Sequence, residues 1–320
     1  MLSLVGTAVL VPLLRRRLLD RPNERSSHTV PTPRGGGIAV IGAVLLIWLA
    51  LTIAGTLAPV LLLVPAATLG LAAVSWRDDL RGLSPLTRLV AQLAAVGIGM
   101  GALPSHAVFQ GWLPPVLDDA ATALLWLWFV NLFNFMDGID GIAGSEAAAI
   151  GIGLVLVAPA PETGFPAAAI AGAAAAFLIW NWAPAKIFLG DVGSVPLGFL
   201  LGFLLLGAAA RGVWLPALIL PAYFLADATI TLLRRLAAGE KVWEAHRRHF
   251  YQQAVQAGLS HAAVACRVIL ADMLLIGCAW AAQHGWGAAA LVTAAAIVLA
   301  LLADLARPRR YKAAARSDRR

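Results

Sequence analysis

The sequence predicts an all-α fold: a polytopic membrane protein of about ten or eleven transmembrane helices, its amino terminus outside and its carboxyl terminus in the cytoplasm. Three observations carry that prediction. Of the 320 residues, 60% are hydrophobic and 13% charged, against roughly 45–50% and about 25% in a soluble domain. Apolar runs of about 17–22 residues recur from end to end, each long enough at about 1.5 Å per residue to cross a hydrocarbon layer of roughly 30 Å. The lysines and arginines fall in the short segments between those runs, where they report orientation. The net charge of +7 therefore reflects topology, and no nucleic-acid partner is expected.

The first run, Leu2 to Leu14, has no charge before it and Arg15, Arg16 and Arg17 after it. A cleavable signal peptide has the opposite order, so a retained span near 1–19 is expected. The second span, near 37–57, begins where Gly35-Gly36-Gly37 ends a Pro- and Arg-rich loop. Spans near 59–76 and 86–103 flank a charged turn, and Leu103-Pro104 and Leu113-Pro114-Pro115 break the chain before a span near 116–135. Spans near 142–160 and 166–182 follow, the second containing Ala171 to Ala176, a stretch that suits close packing by small residues. Further spans are expected near 193–209, 213–234, 260–283 and 286–306. Threaded in this way, nearly every Lys and Arg lies at the cytoplasmic face, with Arg211 the exterior exception, and Trp112, Trp214 and Trp286 fall in an interfacial belt. Residues 1–320 form one domain, with 307–320 a basic cytoplasmic tail beside anionic lipid. Cys266 and Cys278, in one apolar segment, have no zinc spacing and read as buried, inert thiols.

Five polar segments fall on the cytoplasmic face. The first is Arg21 to His28, continuing to Arg34-Gly35-Gly36-Gly37. Successive glycines at a helix start let backbone amides approach an anion, and Arg25 and Arg34 suit phosphate oxygens; a basic loop that only fixes topology is the alternative. The second holds adjacent Asp78 and Asp79, which repel unless a cation or proton lies between them. Magnesium suits them, and a solvated pair satisfied by Arg77 and Arg81 is the alternative. In the third, Asn131, Asn134 and Asp137 recur every third residue and share a helix face, with Asp140 beyond Gly138, where the helix is expected to end. These groups suit a nucleotide or a metal. The fourth places Asp191 between Gly190 and Gly193 at a helix start, a position for capping, a metal, or both. The fifth joins Asp227, paired with Arg234 or a neighbouring span, to the loop Glu240–Gln252, whose Trp243, His246, Arg247, Arg248, His249 and Tyr251 suit phosphate and sugar. A lipid-binding basic patch is its alternative. His106, His261, His284, Glu146, Asp272 and Asp304 are assigned no chemistry.

Taken in order, RPNERSSHTVPTPRGGG, DDLRG, NLFNFMDGIDG, LGDVGS and HRRHFYQ resemble the motifs of the polyprenyl-phosphate N-acetylhexosamine-1-phosphate transferases, of the glycosyltransferase family 4 type, over residues 21–252. The resemblance implies dependence on Mg2+, with Mn2+ the second choice. It implies transfer of a sugar 1-phosphate from a UDP-N-acetylhexosamine, 6-deoxy sugars included, to undecaprenyl phosphate or another polyprenyl phosphate, with release of UMP. The setting it implies is the bacterial inner membrane, the protein multi-pass and in contact with the lipid bilayer, its active site facing the cytoplasm, and a homodimer as a further partner. Residue by residue, Asp78 and Asp79 match paired aspartates near the reacting phosphates, and Asp191 matches the magnesium ligand. Asn134, Asp137 and Asp140 match the segment associated with the nucleotide, and His246 and His249 match a histidine motif. Arg34, Arg247 and Arg248 join these histidines as expected contacts to substrate phosphate or sugar.

Arg248 stands where several relatives carry another histidine, and Leu80-Arg81 departs from the lysine-bearing form of the peptidoglycan branch. Both features favour the branch that initiates O-antigen or related cell-envelope polysaccharides, with a peptidoglycan-precursor transferase as the alternative. A secondary transporter is the rival from another class. Against it, transport sites lie near the bilayer midplane between repeats, whereas these clusters lie at one face and no repeat is evident. The implied reaction is attack of a lipid phosphate oxygen on the sugar-bearing phosphorus, with Asp78 or Asp79 guiding the lipid phosphate by direct displacement; a covalent aspartyl intermediate is the competing route.

Overall fold

Prolines and glycines punctuate the chain, and helices run between them. The computed structural model describes residues 1–20, 22, 30–104, 108–242, 244 and 246–307. Arg21, Arg25 and His28 of the first motif, His106, Trp243 and the tail beyond Arg307 lie outside the described residues. Helix α1 (Leu2–Arg17) leads to Leu19–Asp20 (β1), which pairs antiparallel with Thr32–Pro33 (β2). Then come α2 (Gly37–Ile53), a 3-10 turn at Pro59–Leu62 and α3 (Leu63–Arg81). Gly82 stops α3 at φ +69°, a backbone conformation that glycine adopts without strain. Helix α4 (Pro85–Met100) opens with the Ser84 hydroxyl accepting the Thr87 N–H at 3.1 Å and with proline at its first position. The remaining helices are α5 (Pro115–Phe135), α6 (Ile142–Val157), α7 (Pro161–Asn181), α8 (Asp191–Ala210), α9 (Trp214–Ile219), α10 (Ala222–Ala237), α11 (Phe250–Gln256), α12 (His261–Gln283) and α13 (Gly287–Leu305).

Each of the eleven expected spans has a helical counterpart, and among the described residues six helical stretches are long and apolar enough to cross a membrane: the 3-10 turn with α3, then α5, α7, α8, α12 and α13. The chain is a multi-pass membrane protein. Three boundaries differ from expectation. Helix α3 continues past Trp76 to Arg81, so Asp78 and Asp79 stand on a helix and not in a loop; backbone hydrogen bonding, and not hydrophobicity, sets where a helix ends. The span near 213–234 divides into α9 and α10 at Pro221, which has no amide to donate. No apolar run marks the short α11 in the late loop.

Helix α8 is apolar on every side, and 94% of its apolar window is buried, so it forms the axis around which the others pack. Close approach is possible because small residues face it. A Cβ on Gly37 would lie 2.2 Å from Gly193 Cα, so α2 and α8 begin backbone against backbone. Farther along, the Trp126 indole of α5 donates to Phe199 O at 2.9 Å and stacks on the Phe199 ring at 4.7 Å. Between α6 and α7, a Cβ on Gly151 would come within 2.9 Å of Ala171 Cβ, the close packing expected of the alanine stretch. Cys278 is buried as expected, but Cys266 is exposed on the outward face of α12.

Candidate active site

The segments flanking α2 and α8 form the floor of the site. Gly35 and Gly36 N–H both donate to Phe188 O (3.1 and 2.9 Å), and Gly37 N–H donates to Leu189 O (2.9 Å). These amides are engaged by the protein's own backbone, so the expected anion cradle at Gly35–Gly37 does not form. The glycines serve close approach instead: a Cβ on Gly36 would meet the Phe177 ring at 2.4 Å. Arg34 then projects between Asp20 (Nη2 to Oδ2, 3.3 Å) and Asp79 (Nη1 to Oδ1, 3.4 Å). Burial works against the Arg34 charge, yet the carboxylates of Asp79, Asp20, Asp191 and Asp137 outweigh it and hold the guanidinium pKa above its ordinary value.

The paired aspartates have distinct duties. Asp79 Oδ1 accepts the Asp191 N–H (3.2 Å) and Oδ2 accepts the Val192 N–H (3.0 Å), so α3 caps the start of α8. The cap residue in the chain itself is Gly190, at φ +76°, where a Cβ would lie 2.9 Å from both Arg34 Cγ and Asp79 Oδ2. Asp191 is thus not the cap of its own helix. Asp78 accepts the Leu83 N–H at 2.6 Å and sits 3.2 Å from Arg88 Nε, a charge contact without hydrogen-bond alignment. Arg88 from α4 and Arg34 therefore take the places expected of Arg77 and Arg81.

The α5–α6 connection supplies the next wall. The Asn131 amide donates to Gln92 Oε1 (2.8 Å), and Asn134 Oδ1 accepts the Ser194 hydroxyl (2.5 Å). Because α5 ends at Phe135, Asp137 lies beyond the helix and does not share its face with the two asparagines. Asp140 accepts the Ala185 N–H (3.1 Å) and lies 3.3 Å from His261 Nδ1. Asn181 ties the neighbouring turns together, accepting the Gly141 N–H and donating to Ile187 O, both at 3.0 Å. Among the described residues, the carboxyls of Asp137 and Asp191 accept no hydrogen bond. Burial, and next the Asp191 carboxylate, push the Asp137 carboxyl up to about 7.

The late loop closes the site. A Cβ on Gly138 would lie 2.2 Å from Tyr251 Oη and 3.1 Å from Gln252 Nε2, so α11 rests directly on the Asp137–Gly138 turn. Tyr251 Oη donates to Phe135 O at 3.0 Å. His249 is buried, with Nδ1 3.1 Å from Asp227 Oδ1, and its ring stacks on His246 at 4.9 Å. Asp227 takes these partners and not Arg234. Burial, then His249 and the arginines beside it, push the His246 imidazole down to about 4. Arg248 is ion-paired with Glu240, which also receives Arg235 Nε at 3.0 Å, and Arg247 O accepts the Gln256 amide at 2.8 Å.

All eleven residues expected in the site are therefore at one end of the helical bundle. Arg88 and His261 belong there too. The sequence carries a signal for each, since both sit in the first turn of a helix behind a serine N-cap, at Ser84 and Ser260. What they face is not written in that signal.

The glycosyl transferase family 4 model matches residues 60–209, which contain Asp78, Asp79, Asn134, Asp137, Asp140 and Asp191. The chain is 33% identical to the decaprenyl-phosphate N-acetylglucosaminephosphotransferase of Mycobacterium tuberculosis (strain ATCC 25618 / H37Rv) over 299 aligned positions, which cover 80% of this chain and 72% of the relative. It is 26% identical to the probable undecaprenyl-phosphate N-acetylglucosaminyl 1-phosphate transferase of Bacillus subtilis, over 81% of this chain and 77% of the relative. It is 30% identical to a phospho-N-acetylmuramoyl-pentapeptide-transferase of Synechococcus sp. (strain JA-3-3Ab), over 90% of this chain and 92% of the relative. With its motifs gathered at one end of a membrane bundle and relatives of this kind along most of its length, the chain belongs to glycosyl transferase family 4, among the polyprenyl-phosphate N-acetylhexosamine-1-phosphate transferases.

Proposed function

We propose that the protein transfers N-acetylglucosamine 1-phosphate, or that of a closely related N-acetylhexosamine, from its UDP derivative to a polyprenyl phosphate. The reaction releases UMP at the cytoplasmic face of the bacterial inner membrane and begins a cell-envelope polysaccharide. One observation carries the reading: two neighbouring carboxyls, Asp137 and Asp191, which accept no hydrogen bond among the described residues, lie in the field of Arg34, with α11 packed on the Gly138 turn beside Asp137. The names of the relatives support the sugar and the lipid.

The donor set fits magnesium. Asp137 and Asp191 are neighbouring carboxyls, and magnesium is commonly held by one or two carboxylates with the rest of its shell from water and substrate phosphates. Asp191 and Asp137 would hold it, and when bound it would neutralise charge on the pyrophosphate.

The protein's own groups do the remaining work. A phosphate monoester has a second pKa of about 6, so the lipid nucleophile is already ionised near neutrality and needs no strong base. Its oxygen bonds to the sugar-bearing phosphorus as the bond from that phosphorus to the UMP oxygen breaks. Arg34 and Arg88, aimed by Asp79 and Asp78, bring the two anions together. Asp140, held by the Ala185 amide and beside His261, and Asn134 face the nucleotide. His246, Arg247, Arg248 and His249 face phosphate and sugar. Because both oxygens of Asp79 and both of Asp78 already have partners, direct displacement is favoured over an aspartyl intermediate on either.

The test is transfer of label from a radiolabelled UDP-N-acetylglucosamine into an organic-extractable product by purified protein. Label that depends on polyprenyl phosphate and magnesium and disappears in Asp191→Asn supports the reading; its absence with well-folded protein and every UDP-N-acetylhexosamine overturns it. Exchange of labelled UMP into the UDP-sugar without lipid would overturn direct displacement.

A further inference from the structure

A carboxylate inside an apolar helix is costly unless donors surround it. Asp227, fully buried in α10, has five. Tyr223 and Thr231, four residues to either side on the same helix face, donate their hydroxyls at 3.2 and 3.3 Å. The other three come from the late loop: His249 Nδ1 at 3.1 Å, the Phe250 N–H at 3.0 Å and the Tyr251 N–H at 3.3 Å. The two backbone donors are the first amides of α11, the helix whose Tyr251 and Gln252 side chains lie against Gly138. One buried side chain thus joins α10 to the segment that closes over the Asp137 turn.

The same contacts fix protons. A carboxylate only accepts, so a hydrogen bond from His249 requires its proton on Nδ1. The Gln252 backbone N–H is directed at the His249 side chain in a capping box and competes for that nitrogen, but the opposite tautomer would set two lone pairs face to face at 3.1 Å. His246 is reversed: its Nδ1 accepts the Arg248 N–H at 3.2 Å, so its neutral ring carries the proton on Nε2. Two stacked imidazoles, 4.9 Å apart, therefore differ at Nδ1, which donates on His249 and accepts on His246.

We propose that Asp227 is a positioning residue for the transfer reaction, holding the late loop against the Gly138 turn and setting His249 in the tautomer opposite to that of His246. The proposal rests on the transferase reading for its consequence in rate, but not for the placement of the protons. A carboxylate behind a histidine fixes ring orientation and basicity; behind metal-ligating histidines its loss lowers activity about 10- to 100-fold, and a loss of that order is expected here.

The experiment uses full-length protein in detergent with 15N-labelled histidine rings, and His246→Gln and His249→Gln to assign the two signals. The expected wild-type spectrum has His249 protonated at Nδ1 and His246 at Nε2. In Asp227→Asn the His249 preference is lost while the His246 signal stays that of the folded site, and kcat, taken per folded protein, falls at least about tenfold while KM for the UDP-sugar stays within about threefold; unfolding would erase the His246 signal as well. Wild-type His249 protonated at Nε2 overturns the proposal, and this needs no variant to fold. So does an Asp227→Asn protein that keeps the wild-type spectrum or a kcat within about twofold of wild type. Absence of any transfer by the wild type refutes the transferase reading alone, since the spectra decide the proton placement independently.

Discussion

Replacing Asp137 with asparagine should stabilise the protein while destroying its activity. Burial and the Asp191 carboxylate raise the Asp137 carboxyl from its ordinary 3.8 to about 7. Between those values the folded chain binds more protons than the unfolded chain, so stability falls as pH rises through the window and levels off above it. At about 1.36 kcal/mol per tenfold change in proton affinity, the climb from 3.8 to about 7 sets a ceiling of about 4 kcal/mol on the cost at pH 8. An asparagine side chain carries no charge and escapes that cost. With an unfolding entropy of about 2.1 cal/mol/K per residue over 320 residues, the ceiling corresponds to about 6 °C in Tm. The assay is thermal denaturation in detergent with a chelator, at pH 8 and again at pH 5, where the difference should shrink. Added magnesium should raise the Tm of the wild type and leave the variant nearly unmoved, because ligand binding stabilises only a state that holds the ligand. An Asp137→Asn protein no more stable than wild type at pH 8 without metal, or equally stabilised by magnesium, would refute the reasoning.

If Arg88, beside Asp78, takes the lipid phosphate, Arg88→Ala should raise KM for the polyprenyl phosphate by about 10- to 100-fold, the worth of a charged hydrogen bond of about 1.5–3 kcal/mol, with a smaller effect on KM for the UDP-sugar; equal effects on both would contradict that role. Gly37→Ala places a Cβ 2.2 Å from the Gly193 backbone and should give little folded protein, whereas Gly42→Ala, in the same helix with open space at its Cβ, should leave Tm unchanged or slightly higher. Size-exclusion profiles and melting curves of the two separate packing from helix propensity. His246, pushed down to about 4, is neutral from pH 5 upward, so it contributes no limb to the pH–rate profile above pH 5, and His246→Gln should lower the rate without changing the profile's shape.

The spans were legible because hydrophobic length is a property of one stretch of chain, and the candidate site's residues could be picked out as a set because they are polar groups clustered at alternate ends of those spans. Their individual duties were not. That Asp79 caps a helix beginning 112 positions later, or that Gly35 and Gly36 donate to Phe188 O, depends on which turns meet, and no local pattern encodes it. Asp78 shows the same limit: the nearby Arg77 and Arg81 were the natural partners in one dimension, but Arg88 on the next helix faces it. Asp227 carried more of a signal than its isolation in an apolar run suggests. Tyr223 and Thr231 stand four residues to either side, a polar stripe on one helix face that marks a buried carboxylate with local donors. Pro221 is the local mark of the division between α9 and α10, but the apolar run that continues across it read as one span near 213–234.

The central claim is tested most directly by UMP release from purified protein in detergent, with polyprenyl phosphate, magnesium and a panel of UDP-N-acetylhexosamines that includes 6-deoxy sugars. The account predicts release that requires the lipid, matches the lipid-linked product mole for mole, is greatest with one donor, and vanishes in Asp191→Asn. UMP release that is independent of lipid, or undiminished in Asp191→Asn, would contradict it.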